Sequence, residues 1–313
     1  MHASHKTRTL WRSAVRRSAA SRRFSAQAAN APIPALNHCV ELIKQYDRER
    51  FLCNLHAPTP ARGGLFAIHA FNYETARIRS ATSAEHAAKG RIAWWRHALE
   101  SSIAGSPPDH PVARAIAFAV EHHSLTPRYL TQMLDAREAD LLVQQPKTRD
   151  ELELYCERTA GSLLLLGLEC VGVKGNEAAE HAAVHAGTAL GLATLLRGTA
   201  THAAQGCTYL PAEVTSRHGV RLTTMLKGEV TTAVCDAVHE VADEAVAHLL
   251  AARSMQSDVP EAAKAALLPT TVADHILMRL QKNGYSPFAA GTMEPLGFGL
   301  QMALLWKRFT GAY

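Results

Sequence analysis

Apolar positions along this chain recur mostly at three- and four-residue steps, the period of a helix face, and seldom in the alternation that a half-buried strand requires. Between proline and glycine breaks, that period predicts helices near 34–55, 62–80, 84–104, 110–124, 127–143, 148–172, 176–204, 222–254, 259–282 and 295–310. Residues 230–252 show it well. Val230, Val234, Val238, Val241, Val246, Leu249 and Leu250 form an apolar side, and Asp236, Glu240, Asp243 and Glu244 a polar one. Gly206 and Pro211 interrupt the pattern over 205–211. The most apolar stretch, 162–173, falls well short of the ~20 residues that span a bilayer and contains Glu169, so it predicts a core helix. Trp306, near the end, reads as a core aromatic. The fold class expected is all-α.

Composition changes this picture mainly at the start of the chain. A chain of 313 residues can bury a substantial core, and no Gly/Ser linker, charge block or repeat divides it after residue 35. Residues 34–313 are therefore expected to form a single helical domain. The formal charge of +5 comes from the first 30 residues, where Lys6, Arg8, Arg12, Arg16, Arg17, Arg22 and Arg23 occur without an acid; without these seven cations the charge is −2. That distribution excludes a nucleic-acid-binding reading for the body of the chain. The leader is rich in Arg, Ser and Ala, as in a mitochondrial transit peptide, with cleavage expected between Phe24 and Ser25.

The six cysteines lack CxxC spacing, and His181 and His185, four residues apart, have no accompanying HExxH or nearby carboxylate. Neither set predicts a metal site.

Candidate chemistry is concentrated at Gly187–Pro211, GTALGLATLLRGTATHAAQGCTYLP. This segment resembles one in the squalene/phytoene synthase family, through Gly187, Ala189, Leu190, Leu192, Leu196, Arg197, Gly206, Tyr209, Leu210 and Pro211. In that family two aspartates four residues apart hold magnesium; here their positions are Gly198 and His202. Residues 65–77 resemble the family's first acidic helix, with Tyr73 and Arg77 at paired aspartate positions and Glu74 as the remaining acid. Residues 155–164 resemble a third motif whose final glycine is Leu164 here, a side chain expected to fill space that an active member leaves open. His110–Val112 and Met133–Leu141 extend the likeness, which covers roughly 35–282.

The resemblance implies an isoprenoid-synthase-type helical bundle around a central cavity. It also implies lost magnesium chemistry, because glycine offers no ligand and imidazole suits softer metals. The pocket residues it implies are Arg77, Tyr155, Arg158, Arg197 and Tyr209, with His202 as a further anion donor. The transit-type leader, the damaged acidic motifs and the ending Leu304-Leu305-Trp306-Lys307-Arg308 are most similar to the mitochondrial respiratory complex I assembly factor branch of the family. That branch implies a non-catalytic matrix protein without a cofactor, peripheral to the inner membrane, with complex I assembly intermediates or other assembly factors as partners. Two alternatives stay open. One is a divergent prenyl transferase using magnesium, with Glu74, Asp140 or Glu157 supplying carboxylates. The other is a module that binds a prenyl or lipid phosphate, although Arg197 is also expected to pair with an acid across the bundle.

Overall fold

A computed structural model describes residues 32–81 and 84–313, and every regular element among them is helical. The leader and the expected cleavage position at Phe24/Ser25 lie outside the described residues.

Capping residues set several boundaries that periodicity alone blurs. The expected helix over 34–55 is two, α1 (Pro32–Tyr46) and α2 (Arg48–Leu55), because Asp47 leaves helical geometry and accepts a hydrogen bond from the Arg50 amide at 3.2 Å. Next come α3 (Thr59–Ala76), α4 (Glu85–Ile103), α5 (Pro111–His123) and α6 (Pro127–Asp140). Proline begins both α5 and α6, where its missing N–H costs nothing. Residues 148–172 are not one regular helix. Thr148 caps α7 (Arg149–Cys156), a π-helical turn occupies Glu157–Gly161, and α8 (Ser162–Cys170) follows.

Asn176 caps α9 (Glu177–Arg197), which stops at Gly198 before the short α10 (Thr199–Ala204). After α11 (Ala212–Arg217), the helix expected over 222–254 divides into α12 (Leu222–Leu226) and α13 (Thr232–Ser254). Gly228, with φ of 66°, makes the break between them. The helix expected over 259–282 likewise divides, at Leu268-Pro269, into α14 (Glu261–Leu267) and α15 (Thr270–Lys282). The last element is α16 (Phe298–Thr310).

Helix α9 is the pivot of the bundle and packs against α7, the π turn, α8, α13 and α15. It buries residues on several faces, as an interior helix does. Two glycines make its closest approach. A Cβ on Gly187 would fall 2.4 Å from the Gly161 Cα, and one on Gly191 would fall 2.8 Å from the Cys156 Cβ. The backbone of α9 therefore lies directly on the π turn.

One apolar cluster unites α1, α3, α4, α5 and α6 with Leu163 and Leu166 of α8; a second joins α9, α13 and α15 to Leu300 and Leu304 of α16. A third fills the space between α8, the first half of α9, α14 and the buried terminal Tyr313. Leu164 belongs to this third cluster, and its neighbour Leu163 lines the central cavity instead. The expectation that Leu164 fills cavity space is thus corrected. The outer side chains also differ from expectation: Val230, Val246 and Leu250 are exposed, and Trp306 is exposed rather than a core aromatic.

Candidate functional site

The cavity, of about 640 Å³, lies between the first two clusters. Tyr73 and Ala76 on α3 form part of one wall, and Thr194, Leu195 and Arg197 on α9 part of another. The α1–α2 junction contributes Lys44 through Arg50, and Met293 and Pro295 come from the chain before α16.

The α9–α10 end is closed by packing. A Cβ on Gly198 would lie 2.7 Å from Cε1 of His202, so the imidazole occupies the space that a side chain at 198 would need. His202 also meets the Tyr209 ring edge-on at 4.7 Å between centroids. Tyr209 stacks on Tyr155 at 5.6 Å, and its hydroxyl donates to Asp140 at 2.5 Å. Arg79 completes the group: it pairs with the Asp140 carboxylate at 3.0 Å and donates to the Asp140 and Val143 carbonyls at 2.7 Å and 2.6 Å. Burial, then the neighbouring Arg79, pushes the His202 imidazole down to about 4. Burial, with Tyr155 and Asp140 beside it, holds the Tyr209 phenol well above its ordinary range. At neutral pH His202 and Tyr209 are both uncharged.

The α3 end is open. Arg77, the C-cap of α3, has a side chain 49% exposed; it lies 3.9 Å from Glu74 and 5.5 Å above the Tyr73 ring. Arg77 and Glu74 lie outside the cavity lining, and Arg158, in the π turn, is exposed. Of the residues singled out in the sequence, Tyr73, Tyr155, Arg197, His202 and Tyr209 come together around the cavity. Arg197 spans the bundle to pair with Glu49 at 2.7 Å. Asp140 is held by Arg79 and Tyr209, and Glu157 is exposed on the π turn.

Sequence reasoning missed Arg50 and Arg137, two cations of the cavity lining. Arg50 pairs with Asp47 at 2.9 Å, Arg137 donates to Asn72 at 2.7 Å, and each keeps a buried Nε without a partner. His202 Nδ1 is also buried and unpartnered. The lining carries five cationic side chains, Lys44, Arg48, Arg50, Arg137 and Arg197, against the carboxylates of Asp47 and Glu49. A signal for Arg50 was present: the run Asp47-Arg48-Glu49-Arg50 breaks the apolar period of 34–55. Arg137 lay inside a segment already noted for its family likeness.

Among the described residues, no group of three or more His, Cys, Asp or Glu side chains could hold a metal ion. His185 and His248 face each other with Nδ1 atoms 2.9 Å apart. The cysteines are free; burial pushes the Cys39 and Cys53 thiols up to about 12, far from thiolate chemistry.

Comparison with known proteins places this geometry in a family. The squalene/phytoene synthase family model matches residues 43–303. The chain is 36% identical over 298 residues to the NADH dehydrogenase (ubiquinone) complex I assembly factor 6 of Rattus norvegicus, covering 93% of this chain and 88% of that protein. The chloroplastic phytoene synthase of Daucus carota is 28% identical over 202 residues, covering 63% of this chain and 50% of that one. Among solved structures, a dehydrosqualene synthase in complex with ligand shares the fold with a TM-score of 0.76 and 21% identity, over 88% of this chain and 96% of that one.

Proposed function

We propose that this chain, which belongs to the squalene/phytoene synthase family, promotes assembly of mitochondrial NADH:ubiquinone oxidoreductase (complex I) and does so without catalysis. The observation that carries the reading is a contrast in relatedness. The assembly factor of Rattus norvegicus is matched over almost the whole chain, and the synthase of Daucus carota over less than two thirds of it. The site's chemistry agrees. A prenyl synthase uses magnesium to neutralise a departing diphosphate, and the position that would supply one ligand pair holds Gly198 beneath a half-buried, neutral His202. A carboxylate placed at 198 alone would collide with that imidazole.

The protein acts in the matrix, peripheral to the inner membrane, where it meets assembly intermediates or other assembly factors. No helix among the described residues is long and apolar enough to cross a membrane. Removing the gene should lower assembled complex I on native gels and leave isoprenoid levels unchanged; intact complex I in the deletion strain would refute the reading. Purified protein given farnesyl or geranylgeranyl diphosphate with magnesium should release no diphosphate.

The cavity supports a second, compatible role as a binding site for a prenyl or lipid phosphate. The cationic lining, with Arg50 and Arg137 among its five cations, favours it, since guanidinium groups suit phosphate oxygens. Mass spectrometry of the purified chain should find a phosphate-bearing lipid that is lost in Arg137→Ala. A lipid-free wild-type protein would end this second role and leave the assembly role standing.

A further inference from the structure

Helix α16 is apolar on two opposite faces. Leu300 and Leu304 are buried against the bundle, and Lys307 closes that side on Asp274 at 3.4 Å. Phe298, Met302, Leu305 and Phe309, at steps of four, three and four residues, form a second stripe directed away from it. They are 72%, 49%, 52% and 86% exposed, with Trp306 beside them at 67%. An exterior helix ordinarily carries charged and polar residues on its outward face. A contiguous outward run of large apolar side chains marks a surface that is covered in the working protein.

We propose that this stripe docks the protein on a lipid surface bearing anionic headgroups. The inference deepens the membrane-peripheral part of the proposed function and rests on it, while the assembly role stands apart from it. Three features favour lipid over a protein partner or a second copy of the chain. The stripe is a ridge of one helix, and Phe309 at 86% exposure stands clear of its neighbours; such a ridge inserts between headgroups more readily than it fills a groove. Residues 295–313 contain no Asp or Glu, and Arg308 is the cation beside the stripe, since Lys307 faces Asp274 on the bundle side. Arg308, with a side chain 50% exposed, reaches an acid only at Glu261, 4.0 Å away. Finally, Trp306 on the edge of the stripe provides the amphipathic ring that settles at headgroup level.

The test floats the full chain with phosphatidylcholine vesicles, with and without phosphatidylglycerol. Leu305→Ser combined with Phe309→Ser should lower the bound fraction about tenfold on the anionic vesicles, with an unchanged melting curve because both side chains are exposed. In parallel, brominated phosphatidylcholine in the vesicles should quench the Trp306 emission, defined as the part lost in the conservative Trp306→Phe variant. The basic leader is common to every variant, so it cancels in the comparison. Undiminished binding of the double variant, or an unquenched Trp306 component, would overturn the proposal. So would a stripe-dependent dimer by sedimentation, or a stripe variant that loses complex I assembly while still binding vesicles. Stripe-dependent vesicle binding in a strain whose complex I is intact without the gene would instead sink the assembly role and keep the lipid ridge.

Discussion

The two ends of the cavity are in opposite physical states. At the α9–α10 end, Gly198 and His202 are packed together and joined through Tyr209 to Asp140 and Arg79. At the α3 end, Glu74 and Arg77 form a half-exposed pair, 3.9 Å apart, at the terminus of a helix. The first end is a half-buried polar network that already contains its own cation, Arg79. At the second, a guanidinium and a carboxylate face solvent. Burial makes the difference: packed side chains fix the first end, and solvent surrounds the second.

The largest effect that sharpens this contrast is pH-dependent. His202 has a folded-state pKa of about 4 against about 6.5 when unfolded, so below pH 6.5 the unfolded chain takes up a proton that the folded protein refuses. Stability should be flat above pH 6.5 and fall between pH 6.5 and 4, with His202 accounting for up to about 3 kcal/mol. Denaturant titrations across that range should show a shallower slope for His202→Gln; an unchanged slope would mean that the imidazole is not a half-buried, neutral part of the network.

Next comes Gly198→Asp, expected to destabilise by about 2 kcal/mol through overpacking against His202. The φ of −78° at Gly198 is open to any residue, so the cost is steric. Gly198→Asp combined with His202→Asp should cost less than the two single changes added together. Additive costs in urea unfolding would mean that the two positions do not share space.

Tyr209→Phe removes a hydrogen bond to Asp140 and should cost about 1 kcal/mol, read as a lower urea midpoint with an unchanged slope. Arg77→Ala should change stability by no more than about 0.5 kcal/mol, since exposed ion pairs contribute little. A cost at Arg77 matching that at Tyr209 would break the comparison.

Much of this was legible in the sequence, and the misses have physical reasons. Apolar periodicity found the helices but joined pairs of them, because it does not register Asp47 leaving the helix to cap α2 or Gly228 adopting a positive φ. Arg197 was readable as a partner for an acid across the bundle, but its identity as Glu49, 148 positions away, was not. Arg77 and Arg158 were expected in the pocket by motif position, yet side-chain direction depends on where a helix ends and how a π turn rotates the chain. Arg50 and Arg137 went unassigned because a cavity lining is a set of distances, and no local pattern encodes it.

The sequence by itself determined the helical fold class, the family, and the absence of carboxylates at Gly198, His202, Tyr73 and Arg77. These depend on side-chain type and on spacing within a few helical turns, both of which are written locally. Only the tertiary structure decided that His202 fills the space above Gly198, that Leu164 packs away from the cavity, and that Trp306 and Phe309 face outward. Each of those outcomes depends on which helix lies opposite, and chain segments far apart in sequence settle that only when they pack.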